Sequence, residues 1–154
     1  MTLFVECKAD ETLVVALGVA RLQVEHAANR AGVCAQLARR EDVIGMVDED
    51  PDSAPQSYMK SLPQESWEHS VRVLSDKERG NRVVVLSPRL EEWLVESAKS
   101  AGLKMTDFGF ESDNGLQLHS EINQRLRNEQ KLIEALLVAK NPRIVRLQSL
   151  VKQP

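Results

Sequence analysis

The chain of 154 residues is poor in the residue types that build disulfide frameworks or zinc sites. It has two cysteines and three histidines, too few and too scattered for either kind of structure. Cys7 and Cys34 each lie in apolar or helical sequence, so both are expected to be reduced and buried. His26, His69 and His119 have no partner at ligand spacing, which argues against a catalytic or zinc role for each of them.

Long apolar runs and a large net charge are also lacking. No apolar stretch approaches the roughly 18 to 20 residues that a membrane span needs, and the first residues match neither a signal peptide nor a transit peptide. We therefore expect a cytoplasmic protein with no membrane partner. The net charge of -3 argues against binding nucleic acid by bulk electrostatics. Basic residues of the C-terminal helices alternate with acids, which is typical of a solvated helix face, a nucleic-acid contact strip being the alternative.

What the sequence does contain is an alternation of apolar strand-like and helix-like segments. Its 42% hydrophobic content suits one compact body with a core. The alternation predicts an α/β fold, a mostly parallel sheet covered by helices over residues 1–104, with a C-terminal helical extension over 105–154 packed on it. The predicted strands are 2–7, 22–26, 42–47, 71–74 and 82–86, and the predicted helices are 11–17, 31–40, 90–100, 119–140 and 143–151.

Acidic residues follow two of the predicted strands. An apolar run stops at Asp48, Glu49 and Asp50, and the N-terminal run is followed by Glu6. On a strand Asp48 and Asp50 point to the same side and Glu49 to the other, and parallel neighbours end at one rim of a sheet. Acids held together repel one another unless a proton or a divalent cation intervenes. Glu6, Asp48 and Asp50 are therefore candidate ligands of Mg²⁺ or Mn²⁺, which prefer hard oxygen donors.

Each of these acids also has an ordinary structural interpretation. Acids at strand ends commonly cap helices or face water. Asp10 is predicted to be the N-cap of a helix that begins at Glu11, a role behind the metal site being the lesser alternative. Lys8 either pairs with a phosphate or with the acids, or it is a solvated lysine.

The acidic motifs resemble those of Toprim domains. Residues 5–10, Val-Glu-Cys-Lys-Ala-Asp, are similar to the first Toprim motif, an apolar strand ending in Glu and followed by Gly and then Asp, and residues 48–50 are similar to the Asp-x-Asp motif. The resemblance spans roughly residues 3 to 100. It implies a Toprim-like fold in which Glu6 acts as an acid or base, or joins the aspartates around magnesium. Toprim domains occur in topoisomerases, primases, recombination proteins, small ribonucleases and OLD-type nucleases.

Two further segments resemble stand-alone Toprim-like proteins. Residues 85–94 are similar to a segment in which a strand runs into Pro, an apolar residue, Glu and Trp, which implies that Glu91 is a further metal ligand. The alternative is a first-turn carboxylate stabilised by the helix dipole. Residues 26–30 are similar to a Gly-Asn-Lys segment with Arg30 in place of the lysine. Many such relatives are linked to defence against phage and mobile elements, and the resemblance implies that role.

Two functions of different classes follow. In the first, the chain is a metal-dependent nuclease or phosphotransfer enzyme acting on DNA or RNA, in which the acids hold one or two divalent ions and Lys8 and Arg30 steady the phosphate. In the second, it is a non-catalytic Toprim-like module that binds a partner protein, because Cys7 replaces the glycine that lets the backbone approach a phosphate. The catalytic residues of the first function are Glu6, Lys8, Asp48 and Asp50.

Overall fold

The fold is α/β, a six-stranded sheet with helices on both faces. The computed structural model describes residues 1–152. The strands are β1 (Leu3–Val5), β2 (Val24–His26), β3 (Ile44–Asp48), β4 (Gln64–Glu68), β5 (Val71–Asp76) and β6 (Asn81–Leu86). The helices are α1 (Lys8–Ala16), α2 (Arg30–Leu37), α3 (Ser57–Lys60), α4 (Leu90–Ser100), α5 (Gly115–Glu121), α6 (Leu126–Val138) and α7 (Pro142–Val151).

The order of strands across the sheet is β2-β1-β3-β6-β5-β4. The first four strands in that order are parallel, and β5 and β4 continue the sheet in antiparallel pairing. The predicted α/β fold with a mostly parallel sheet and C-terminal helices is therefore confirmed.

Alternating side chains of β6 build the two halves of the core. Val84 and Leu86 pack with α1, α4 and the C-terminal helices, whereas Val83 and Val85 pack with α2 on the opposite face. Successive strand residues point to opposite faces, so a strand buried on both sides consists of a continuous run of apolar residues. The Val-rich sequence of β6 is the local cause of its central position.

Gly45, in the middle of β3, lets α2 pack close to the sheet. A Cβ atom at this position would lie 2.8 Å from side-chain atoms of both Val33 and Leu37. Any larger residue would push α2 away from β3, because interiors packed at crystal-like density leave no room for a further carbon atom.

The C-terminal helices share one core with α1 and α4. Their buried side chains include Leu132, Leu136, Ile144 and Leu147, which pack with residues of the sheet and of α1 and α4. The last two residues of the predicted extension, 153 and 154, lie outside the described residues. Among residues 1–152, every helix is too short or too polar to cross a bilayer.

One predicted helix is divided in the structure, and one strand of the sheet is not among the predicted elements. The single helix predicted over 119–140 is divided, because α5 ends at Glu121, a 3-10 turn follows, and Arg125 has a non-helical backbone (φ -128°, ψ 43°) before α6. Strand β4 was not predicted, because four of its five side chains are exposed and the fifth is half-buried. An edge strand with little buried surface carries no alternating apolar pattern, and its pairing with β5 is what defines it.

Candidate active site

The candidate site lies where β1 and β3 end side by side. After β1 the chain enters α1 on one face of the sheet, and after β3 it enters a loop and α3 on the other face. Neighbouring parallel strands whose connections leave in opposite directions open a crevice at their carboxyl ends, which is where open α/β sheets bind ligands. Glu6 follows β1 directly and Asp48 is the last residue of β3, so both stand at this crevice.

Glu6 and Asp48 meet there, as the sequence predicts. The carboxylate of Glu6 accepts a hydrogen bond of 2.9 Å from the backbone N–H of Asp48. Burial raises the pKa of Glu6, against the lowering effects of this hydrogen bond and of the charge of Arg30. Two acids distant in sequence are thus held at one point by the parallel pairing of β1 and β3.

Asp48 is also tied to the start of helix α4. Its Oδ1 accepts a hydrogen bond of 2.9 Å from the backbone N–H of Leu90, one of the N–H groups that a helix start leaves unpaired. Burial, followed by the charges of Asp10, Glu6 and Glu91, raises the pKa of Asp48 to about 9. Burial and the neighbouring acids therefore favour the protonated form of this carboxyl group.

Asp50 faces a different direction from Asp48. Strand β3 ends at Asp48, and Asp50 has a left-handed backbone (φ 44°), so the prediction that both side chains project from one side of a strand is wrong. The carboxylate of Asp50 accepts hydrogen bonds from the hydroxyl of Ser53 and, at 3.3 Å, from Arg89. Ser53 is the first cause of its lowered pKa. The charge of Asp50 still contributes to the raised pKa of Glu6, so Asp50 belongs to the rim of the crevice.

Asp10 is a buried member of the cluster and not the N-cap predicted from sequence. Helix α1 begins at Lys8 with Cys7 as N-cap, and the Asp10 carboxylate accepts hydrogen bonds from the backbone N–H of Cys7 (3.0 Å) and from its thiol (3.3 Å). Burial, and then the charge of Glu6, raises the pKa of Asp10 to about 7. Burial also raises the pKa of Cys7, so this thiol is a hydrogen-bond donor and not a thiolate.

Glu91 and Glu129 extend the acidic cluster inward. Glu91 lies in the first turn of α4, where Oε1 pairs with Nδ1 of His119 at 3.0 Å, while Oε2 is buried without a hydrogen-bond partner. Glu129 of α6 is one of the acids that the sequence assigns to a solvated helix face, and this prediction is wrong for it. Its side chain is fully buried, and neither carboxylate oxygen has a hydrogen-bond partner within residues 1–152. A signal was present in the sequence, because Glu129 occupies the same helical stripe as Leu132, Ile133 and Leu136.

Three basic residues near the acids differ in whether their charged groups already have partners. Arg30 donates to the backbone carbonyls of Glu49 and, at 2.7 Å, Ala54, so it holds the loop after β3. Arg89 binds Asp50 and two other acids. The side chain of Lys8 is exposed and makes no ion pair within residues 1–152. Of the two residues predicted to steady a phosphate, Lys8 is therefore free to do so, whereas Arg30 already has acceptors.

A cleft of about 410 Å³ opens beside Asp50. Three basic residues line it together with Met59, Leu62 and Leu74, which pack on the same face of the sheet as α2. One of the three, Arg72, forms an ion pair with Glu49, whose side chain thereby turns away from the acidic cluster. The basic residues of the cleft are Arg30, Lys60 and Arg72.

The donor chemistry of the cluster suits a hard divalent cation, but the side chains do not close around one. Within residues 1–152, no three acidic, histidine or cysteine side chains have the arrangement of a formed metal site. All the donors are carboxylate oxygens, which Mg²⁺ and Mn²⁺ prefer, and three of those oxygens, on Glu91 and Glu129, are buried without a partner. Comparison of this chain with protein-family models, curated proteins and solved structures gives no match.

Proposed function

We propose that this protein is a divalent-cation-dependent enzyme that acts on phosphodiester or phosphoryl groups of DNA or RNA. One observation carries the proposal: Glu6 and Asp48 meet at the carboxyl ends of adjacent parallel strands, in a cluster of acids with raised pKa values. Acids packed together out of water must be neutralised by protons or by a cation. The resemblance of the same residues to Toprim motifs supports the cation, and extends to a role in defence against mobile elements.

In this proposal Glu6 and Asp48 hold Mg²⁺ or Mn²⁺, with Asp50 and Glu91 as further ligands. The oxygens of Glu6 and Asp48 that accept no backbone hydrogen bond are the available donors. Asp50 joins them only after leaving Arg89, which keeps its ion pairs with Asp52 and Glu92. A bound cation supplies Lewis-acid stabilisation of the charge on the phosphoryl group.

The surroundings of the cluster suit a phosphate-bearing substrate. Lys8 stands at the start of α1, and its ammonium group makes no ion pair among residues 1–152. The cleft beside Asp50 adds the exposed Lys60, together with Arg72, which is paired with Glu49. Their charges act locally, because the chain as a whole carries a net charge of -3. Binding would therefore depend on a few positioned contacts and not on a basic surface.

A non-catalytic module that binds a partner protein is the second candidate function. Trp67 on edge strand β4 is 51% exposed, and exposed aromatic residues on sheet edges are common in partner binding by strand addition. Cys7 at the first motif supports this candidate too. Two results together would favour this second function. The purified wild type would show no metal-dependent activity but would copurify with a companion protein, and Trp67→Ala would fail to retain that companion.

The test of the enzyme is cleavage of single-stranded and double-stranded DNA and RNA by the full chain in Mg²⁺, in Mn²⁺ and in EDTA. We expect cleavage only with a divalent cation. The cleavage rate of Glu6→Gln should fall at least about a hundredfold, because removing a metal ligand lowers activity more than removing the contacts that support the ligand. Glu41→Gln, which changes an exposed acid, is the matched control. Cleavage that persists in Glu6→Gln at the wild-type rate would reject the mechanism.

A further inference from the structure

The cleft of about 410 Å³ beside Asp50 has an apolar floor. Met59, Leu62 and Leu74 form this floor and belong to the core on the face of the sheet that α2 covers. Leu74 is buried, whereas Met59 and Leu62 are half-buried, so part of the apolar surface is open to a ligand. The volume lies within the range of about 300 to 1,000 Å³ that is usual for pockets that hold small molecules. The cleft can therefore take a ligand with an apolar part of that size.

The cleft also carries positive charge that no acid neutralises. Lys60 is exposed and Arg30 donates only to backbone carbonyl groups, so neither forms an ion pair among residues 1–152. The other charged residues of the lining are paired, Arg72 with Glu49 and Asp50 with the arginine that precedes α4. A ligand that complements this cleft therefore carries an anionic group beside its apolar part.

Two glutamine side chains in the lining have unused hydrogen-bonding groups. The amides of Gln56 and Gln64 make no hydrogen bond among residues 1–152. Each amide presents a donor and an acceptor side by side. The edge of a nucleobase presents the same pattern, and glutamine is one of the residues that bind base edges in nucleic-acid complexes. The polar groups of the cleft thus match a base as well as a phosphate.

One wall of the cleft is ordered before any ligand binds. The loop after β3 forms this wall, and Pro51 and Pro55 of the loop line the cleft. Proline fixes one backbone torsion angle, and Arg30 holds the loop through the carbonyl groups of Glu49 and Ala54. A site that is ordered in advance loses less conformational entropy when its ligand binds.

We propose that this cleft binds one unpaired nucleotide of a single-stranded nucleic acid, with the base on the apolar floor and the phosphate at Lys60 and Arg30. A base inside a duplex is stacked on both faces and paired along its edge, so it must leave the helix before it can enter a pocket. Methionine, with its flexible and polarisable thioether, makes favourable contacts with aromatic rings, and Met59 supplies one on the floor.

This inference deepens the proposed function and rests on it for the use made of the bound strand. It narrows the substrate class to single strands. Asp50 borders both the cleft and the crevice, so a strand held by the cleft would place a neighbouring phosphate toward the Glu6–Asp48 pair.

The experiment measures the binding of short fluorescein-labelled oligonucleotides to the full chain by fluorescence anisotropy, in EDTA so that no strand is cut. We expect single-stranded DNA or RNA to bind at least about tenfold more tightly than a duplex of the same sequence. Lys60→Glu should weaken single-strand binding at least about tenfold. The control is Lys104→Glu, the same change at an exposed lysine between Leu103 and Met105, which pack on the other face of the sheet. It should change the affinity by less than about twofold.

A second measurement locates the site without any substitution. Isotope-labelled protein is titrated with adenosine monophosphate, and the amide resonances of Met59, Lys60 and Leu62 should shift. Shifts confined to other parts of the chain would overturn the assignment of the cleft. A duplex that binds as tightly as the single strand, or unchanged affinity in Lys60→Glu, would overturn it too. So would a glutamate-rich peptide that displaces the strand at equal concentration, because the cleft would then bind acidic chains in general.

The outcome also separates this inference from the proposed function. If single strands bind through Lys60 but no cation-dependent cleavage occurs, the nucleotide site stands and the proposed enzyme fails. If cleavage depends on a cation and on Glu6, but Lys60→Glu changes neither strand affinity nor KM, the enzyme stands and the nucleotide site fails.

Discussion

Asp48→Asn is expected to reduce metal-dependent cleavage at least about a hundredfold and, at the same time, to stabilise the metal-free protein at pH 8. Asparagine can still accept the hydrogen bond from the backbone N–H of Leu90 that Asp48 accepts, but it offers no charged oxygen to a cation. The loss of activity follows from the missing ligand. The gain in stability follows from the removal of a carboxyl group that is costly to ionise in the folded state.

The pH dependence of stability explains why Asp48→Asn should stabilise the metal-free protein. Burial and neighbouring acids raise the pKa of Asp48 from 3.8 in a model peptide to about 9 in the fold. Between these values the folded protein keeps a proton that the unfolded chain releases, so the free energy of unfolding falls as the pH rises from about 4 to about 9. One such proton changes it by up to about 1.4 kcal/mol per pH unit.

Urea denaturation in EDTA at pH 5, 6.5 and 8 measures this slope. The free energy of unfolding of the wild type should fall across the series, and that of Asp48→Asn should fall less. Added Mg²⁺ should stabilise the wild type most at pH 8, where fewer protons compete for the ligands. The control is Asp107→Asn, an exposed acid, which should behave as the wild type. Equal slopes for the wild type and Asp48→Asn would contradict the buried-acid account.

Trp93→Ala is expected to destabilise the fold by about 3 to 5 kcal/mol. The Trp93 side chain on α4 is fully buried, its indole N–H donates to the carbonyl of His69 at 3.0 Å, and the guanidinium of Arg143 lies 5.1 Å from the ring centroid. The substitution leaves a large cavity and an unpaired carbonyl. In a protein of this size it should lower the melting temperature by roughly 10 °C.

Differential scanning calorimetry measures this effect, with Trp67→Ala as the control. Trp67 is half exposed on β4, so its removal should cost less than about 1.5 kcal/mol. A similar loss in both variants would mean that α4 is not anchored by Trp93. The anchor also matters for the site, because the first turn of α4 holds Asp48 through Leu90.

The parts of the fold that the sequence predicts are those with a strong apolar pattern. The buried run of β6 and the run of β3 that stops at acids define two neighbouring strands, and the end of a buried strand is a predictable place for a site. Glu6 and Asp48 could therefore be predicted to meet. Strand β4 could not, because an exposed edge strand has no apolar periodicity.

The remaining errors arise where a local backbone choice decides the direction of a side chain. The left-handed conformation of Asp50 is invisible in the sequence, although it turns that carboxylate toward Arg89. Asp10 has the position of a helix cap in the sequence, and only the folded structure reveals that it is buried and under the influence of other acids. The isolated acid in the apolar stripe of α6, Glu129, was the one feature that sequence analysis could have detected and did not.

The most direct test of the central claim is a crystal structure of the full chain grown in Mn²⁺, with an anomalous difference map at the manganese edge. The account predicts a peak bound by carboxylate oxygens of both Glu6 and Asp48, at about 2.0 to 2.3 Å. A map at saturating Mn²⁺ with no peak at the ends of β1 and β3, and with Glu6 still bound to the backbone of Asp48, would contradict it.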